Sequence, residues 1–521
     1  MLSTLILLPL IGAAIISIFP ISSSKVCRSI ALTFASLAFL LTIVIAFNFI
    51  PGDFTQQFRE FIPWIDALGF NYNIGVDGLS FPLVVMNSLL SAIAIYSSDK
   101  SIQRPRLYFS LVLLLSSAVT GAFVAQDLLL FFLFYELELI PLYLLIAIWG
   151  GERRGYAATK FLIYTAFSGI LILASFLGLV WLSGSSSFAL QELNPSSLSL
   201  GTQLILLAGI LIGFGIKTPL VPFHTWLPDA HVEASTPISV LLAGVLLKLG
   251  TYGLIRFGTL LLPGAWHYLA PWLATWAVVS VLFGASCAIA QKDMKKMVAY
   301  SSIAHMGYIL LAAAAATPLS ILATVMQMVS HGLISGLLFL LVGIIYKKAG
   351  TRDLSVIEGL LNPERGLPMI GSLIVLGVMA SAGIPGMVGF ICEFTVFASS
   401  FAVFPLQTLL AMIGTGLTAV YFLILANRAL FGRLSSQVTN LPRVYWSDRF
   451  PALILALLIV IFGIQPNWLS RWIEETTTAI VPSRIVGAIA PTIRATPLGL
   501  SPMMGVHAPS QNLSTVISDK G

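Results

Sequence analysis

The chain has 521 residues, a length that would suggest several soluble domains, yet 58% of its residues are hydrophobic and only 9% are charged. A soluble surface of that extent needs about 25% charged residues, so this composition, with a mean hydropathy of +0.96, excludes a soluble enzyme and points to a polytopic membrane protein. The net charge of +6 reads as loop topology rather than nucleic-acid binding, and Cys27, Cys287 and Cys392 form no CxxC pair, so neither an iron–sulfur cluster nor a structural zinc site is expected in this chain. Neither GxGxxG nor a Walker motif occurs, and no nucleotide or flavin is expected either.

Fourteen apolar segments are predicted, starting near residues 2, 29, 79, 107, 127, 157, 202, 235, 271, 298, 319, 368, 405 and 450. Most run for about 20 residues, the length that crosses a hydrocarbon core of about 30 Å. Their continuity favours an all-α bundle over a barrel. The first, MLSTLILLPLIGAAIISIFP, lacks a basic residue ahead of its apolar run and reads as an uncleaved span. Residues 51–78, with Asp53, Arg59, Glu60, Trp64 and Asp66, read as an interfacial loop on the non-cytoplasmic side. The segment 319–346 is long enough to tilt or contain a bulge. Leu367 to Ser400 is too long for one simple span. Residues 474–521, rich in Ser, Thr and Pro, read as a tail, partly disordered or laid against a partner.

The basic residues test the count. Loops after odd-numbered spans carry Lys25 and Arg28; Lys100, Arg104 and Arg106; Arg153, Arg154 and Lys160; Lys292, Lys295 and Lys296; Lys347, Lys348, Arg352 and Arg365; and Arg428, Arg433, Arg443 and Arg449. These are nineteen of the 27 Lys and Arg residues, whereas loops after even spans hold Arg59 and, at a helix end, Arg256. The positive-inside rule then places both termini opposite the cytoplasm. The loop after span 7 is the exception, with His224, Asp229, His231 and Glu233 in place of Lys or Arg.

Several ionisable residues fall inside spans, where a charge costs about 2.5–3.5 kcal/mol on insertion scales. Glu136 and Glu138 lie in span 5, about 200° apart around a helix, so only one points easily at a common axis. Lys217 ends the first half of span 7, Lys248 is central in span 8, His305 is in span 10, His331 in span 11 and Glu393 in span 12. Any one Glu–Lys pair could serve only to hold helices together, and any one histidine only to pack. Seven such groups together suit a proton relay, because Glu, His and desolvated Lys exchange protons near neutral pH.

The stretch GIKTPLVPFH, residues 215–224, explains one of them. Pro219 cannot supply the N–H that residue 215 would accept, and Pro222 repeats the problem, so span 7 must break just after Lys217. Freed carbonyls at a helix C-terminus favour a cation. GIPGMVGF, residues 383–390, interrupts span 12 in a parallel way just before Glu393. Two broken spans five apart, each with an ionisable residue, predict internal repeats of a transporter. The predicted organisation is residues 1–106 for spans 1–3, 107–258 for a first five-helix repeat, 271–430 for a second, 450–472 for the last span and 473–521 for the tail.

FYELELIPLYLLIAIWGGERRGYAATKF, KTPLVPFHTWLPDAHVEASTPISVLLAGVLLKLGTYGLIR and KKMVAYSSIAHMGYILL closely resemble the antiporter-like subunit 4 of respiratory complex I, above all its cyanobacterial and plastid type-I NAD(P)H dehydrogenase branch. The resemblance covers about residues 70–470. It implies fourteen helices, an inverted five-helix repeat with helices 7 and 12 broken, and proton pumping coupled to quinone reduction elsewhere in the complex. It implies that Glu136, five residues before Pro141, is the helix-5 glutamate and Lys217 its paired lysine. It implies that Lys248, His305 and His331 are the central relay and Glu393 the terminal group. Glu138 matches a glutamate of the plastid-like branch but lies outside the shared relay. The resemblance further implies no cofactor in this chain, plastoquinone and iron–sulfur clusters in other subunits, antiporter-like neighbours on both sides, lipids and protons as partners, and a cyanobacterial thylakoid membrane with lumenal termini. HVEASTP and the weaker similarity at the ends suggest a paralogue, and such paralogues include members of complexes specialised for carbon dioxide uptake.

The expected mechanism is a switchable Glu136–Lys217 pair. When Glu136 swings toward a neighbouring subunit, Lys217 loses its counter-ion and releases a proton toward Lys248, then through His305 or His331 to Glu393. Two other readings share parts of the pattern: a subunit of a multisubunit sodium/proton antiporter, and a passive scaffold bridging its neighbours. The stretches ELELIP and WGGERR argue against the antiporter.

Overall fold

The computed structural model describes residues 1–479, apart from 21–22, 52, 54, 364–366, 433–437, 439–440 and 443. Arg365, Arg433, Arg443 and the tail from residue 480 onward lie outside the described residues. Fourteen spans are found among the described residues: Leu2–Ile18, Ser24–Asn48, Phe81–Ser97, Pro105–Val124, Leu128–Trp149, Arg154–Leu182, Leu200–Lys217 with Trp226–Glu233, Thr236–Thr259, Pro263–Ile289, Met294–Ala315, Pro318–Ala349, Pro368–Ser381 with Val388–Phe401, Pro405–Ala429 and Trp446–Ile464. They are numbered 1 to 14 below.

Proline marks where many of them begin. Pro105, Pro263, Pro318, Pro368 and Pro405 each open a span at a position whose N–H has no intrahelical partner, so nothing is lost there. This explains the largest boundary miss. Span 9 was expected from about residue 271 but starts at Pro263, and Pro271 is carried inside the helix.

The spans divide into a sealed centre and a periphery. Span 8 is wholly buried and spans 10 and 11 nearly so, whereas spans 2, 13 and 14 keep most of their length on the outside. The central spans carry Lys248, His305 and His331, which places the costly groups away from acyl chains.

Four local features depart from the sequence reading. Residues 51–78 are no simple loop: strand β1 (Gln57–Ile65) pairs antiparallel with β2 (Phe70–Val76), with the chain reversing at Gly69. The bulge allowed for span 11 is absent from Pro318–Ala349, which is α-helical throughout; wide π turns occur instead in span 8, at Leu242–Leu246 and Leu254–Thr259. Span 5 is interrupted at Glu138, between Leu128–Leu137 and Leu139–Trp149. The described start of the tail is helical over 467–479 and folds back on its own chain, with Gly78 N–H donating to Thr476 Oγ1 (3.1 Å) and Trp472 against Phe49 and Phe81.

Candidate functional site

The break after Lys217 is where proline demands it, but the orphaned carbonyls are used within the chain. Leu220 N–H donates to Gly215 O (2.9 Å), and the Trp226 indole donates to Ile216 O (2.9 Å). The expected pool of free carbonyls beside Lys217 is therefore reduced, and its charge is met by a carboxylate. That carboxylate is Glu138. Lys217 Nζ donates to Glu138 Oε1 in a pair sealed from solvent on both sides, with Lys217 also over the Tyr135 ring at 4.7 Å. The expected Glu136–Lys217 contact is thus corrected: Glu136 is half-buried on another face of span 5, its carboxylate against Gly169 of span 6, where a Cβ would overlap it. The sequence showed that only one of the two glutamates could face inward; helix rotation chose the other one.

Lys248 sits just after the first π turn of span 8. Its Nζ donates to Ala243 O (2.5 Å), a carbonyl inside that wide turn, and shares a hydrogen bond of 2.7 Å with His331 Nδ1. The His331 ring lies 5.5 Å from the His305 ring, centroid to centroid. His305 Nε2 bonds Ser381 Oγ at 3.0 Å, and its Nδ1 is 3.4 Å from Glu393 Oε1, close enough for an ion pair but not aligned as a hydrogen bond. Thr415 donates to Glu393 Oε2 at 3.3 Å. Gly383, at φ +70°, turns the chain at the break in span 12 and leaves Glu393 room. Lys248, His331, His305 and Glu393 therefore form a continuous buried line across spans 8, 11, 10 and 12.

Between the histidines and Glu393 lies a cavity of about 10 Å³, the space of about one water. It is lined in part by His331 Nε2, Gln327 Oε1 and Ser330 Oγ, buried polar atoms without a hydrogen-bond partner in the protein. Among the described residues no hydrogen bond or ion pair joins Lys217 to Lys248. The six predicted positions thus fall into two groups, Lys217 with its carboxylates and the Lys248–Glu393 line.

A cavity of about 870 Å³ is lined by residues of the loops rich in Lys and Arg, among them Lys100, Arg153 and Lys347, and reaches inward to Glu233, Ser235 and Lys295. Lys295 Nζ donates to Ala234 O (2.6 Å), and His231, three residues before Ala234, is fully buried with both ring nitrogens unpartnered.

Sequence reasoning missed Asp77. Its Oδ2 pairs with Arg256 Nη2 at 2.6 Å and takes Gln56 Nε2 at 2.9 Å, while Oδ1 accepts from Leu79 and Ser80 N–H. Burial pushes its carboxyl up, but the Arg256 guanidinium and these donors outweigh burial and hold it below the usual carboxylate range. The pair ties the hairpin to the far end of span 8. The isolated Arg256 in an apolar helix end was the available signal.

Residues 125–418 match the family model described as NADH:quinone oxidoreductase/Mrp antiporter, transmembrane. The chain belongs to that family. Among curated members, it is 39% identical to NAD(P)H-quinone oxidoreductase chain 4 2 of Thermosynechococcus vestitus over 99% of this chain and 98% of the other. It is 41% identical to chain 4 3 of Trichormus variabilis, covering 92% of this chain and 91% of that one. Among solved members, a chain of respiratory complex I from Thermus thermophilus superposes with a TM-score of 0.83 at 28% identity, covering 92% of this chain and 99% of that one. A chain of the Mrp complex from a Dietzia species superposes with a TM-score of 0.82 at 20% identity over 94% and 99%, a likeness of fold. The family match spans both broken helices and every predicted relay residue.

Proposed function

We propose that this chain is a proton-translocating membrane-arm subunit of a type-I NAD(P)H–quinone oxidoreductase, driven by quinone reduction in other subunits. The observation that carries the reading is the buried line from Lys248 through His331 and His305 to Glu393. A proton leaving Lys248 Nζ has His331 Nδ1 as an acceptor within hydrogen-bond reach. From the His331–His305 pair it passes to the Glu393 carboxylate, through the polar cavity or along the 3.4 Å contact. The 870 Å³ cavity on the basic face serves as the inlet, and Glu393, at the break in span 12, as the outlet group.

In this reading the chain holds no redox group; plastoquinone and the iron–sulfur clusters belong to other subunits. Its neighbours are further antiporter-like membrane subunits. The cyanobacterial relatives support a thylakoid membrane, and the basic loops support lumenal termini. The test is the whole complex in sealed vesicles, with quinone reduction and proton uptake followed together. Lys248→Ala and Glu393→Gln should each assemble and lose proton uptake. Unchanged uptake would leave only a bridging role, and uptake that needs sodium but no quinone would favour an antiporter.

A further inference from the structure

Lys217 pairs with Glu138, and a second carboxylate, Glu136, stands two residues earlier on another face of the same helix, which is interrupted at Glu138. Glu136 is in Leu128–Leu137, whereas Glu138 is the joint to Leu139–Trp149. Pro141 lacks the N–H that Leu137 C=O would accept, so the helix bends easily at this joint. Glu138 is fully buried, with Oε1 on Lys217 and Oε2 without a partner. Glu136 is half-buried on the flank that also presents Leu133 and Ile140, which are 47% and 62% exposed. One ammonium neutralises one carboxylate. Two ionised carboxylates beside it would leave an uncompensated charge in a low-dielectric site, so one carboxyl holds a proton while the other pairs with the lysine.

We propose that Glu138 and Glu136 are alternative counter-ions of Lys217, an inner and an outer one, with a proton on whichever carboxyl the lysine does not face. This rests on the proton-path reading above. When Lys217 moves from Glu138 to Glu136, the O–H bond of Glu136 breaks and an O–H bond forms on Glu138, so protons and charge within the trio are conserved. The outer carboxylate lies on an exposed apolar flank of the kind a neighbouring subunit covers, so a neighbour's movement acts on Glu136 while Glu138 stays sealed. Each such exchange therefore carries one proton from the outer carboxyl to the inner one, a step that a single glutamate–lysine pair does not provide.

The test uses the intact complex in sealed vesicles, with Glu138→Gln, Glu138→Asp, Glu136→Gln and Lys217→Ala. The readouts are protons taken up per quinone reduced and the redox-induced infrared difference spectrum in the carboxylic C=O region. Glu138→Gln should lose one carboxyl band and lower the proton ratio. Glu138→Asp should restore the ratio and shift that band, and Glu136→Gln should remove a different band. The proposal is overturned if Glu138→Gln keeps both the ratio and the full spectrum. It is equally overturned if Glu138→Asp leaves the band unshifted or does not restore the ratio, since Glu138 then only packs. Normal pumping by Lys217→Ala would overturn it as well, whereas normal pumping by Lys248→Ala would instead sink the proton-path reading itself.

Discussion

Lys248 Nζ and His331 Nδ1 share a hydrogen bond of 2.7 Å, which joins the wholly buried span 8 to span 11 at the middle of the bundle. It ties the His331 tautomer to the protonation state of Lys248. While Lys248 is an ammonium, Nδ1 must be the bare nitrogen and Nε2 must carry any proton, on the side of the small polar cavity. Proton transfer from Lys248 across this bond makes both ring nitrogens donors, so a proton can then leave Nε2 on the side of the cavity.

Replacing His331 with phenylalanine keeps the ring and removes both nitrogens. Quinone-coupled proton uptake is expected to fall by on the order of a hundredfold, in the range lost with one proton-transfer group. Quinone reduction in leaky vesicles should fall much less. The check is the ratio of the two rates in the same preparation, and an unchanged ratio would remove His331 from the path.

Gly169 is a steric prediction. Its missing side chain is what lets the Glu136 carboxylate lie against span 6, and a Cβ there would overlap the carboxylate. Gly169→Val is expected to displace Glu136 and lower proton uptake toward the level of Glu136→Gln, with the complex still assembled on a native gel. Combining the two substitutions should add little to either alone, because both act on one group.

Asp77 and Arg256 yield a stability prediction with a pH sign. Removing one partner of a buried pair costs about 3–5 kcal/mol, because the other charge is left uncompensated. Asp77→Asn should therefore lower the thermal midpoint of the purified complex. The folded carboxyl lies below its ordinary value of 3.8. Its contribution is thus fully present above that value and is lost as pH falls below it. A melting series through acid pH should show this loss in the parent and not in Asp77→Asn.

Gly383 tests the break in span 12. At φ +70° it occupies backbone space that L side chains rarely adopt, and its Cβ would stand 3.2 Å from Glu393 Oε2. Gly383→Ala is expected to cost about 1–2 kcal/mol of local strain and to shift Glu393 away from His305. Proton uptake should fall more than assembly does, measured on the same membranes.

What the sequence determined by itself was whatever depends on local chemistry. Continuous apolar runs fixed the fourteen spans, because backbone groups in lipid must bond within their own helix. Pro219 and the GIPG stretch fixed the two breaks, because a proline has no N–H to give. Ionisable residues in apolar runs marked the proposed relay, because such groups are costly to keep inside a membrane. What tertiary structure decided was rotation, reach and local winding. Whether Glu136 or Glu138 meets Lys217 depends on how span 5 turns against spans 6 and 7, and a change of about 200° in facing leaves no trace in hydropathy. The π turns beside Lys248, the hairpin over 57–76, the Asp77–Arg256 pair and the Trp226 hydrogen bond to Ile216 all join segments whose contact arises only when the bundle packs. Hydropathy reports the burial of a segment, but the partner of a buried charge is set by geometry across helices.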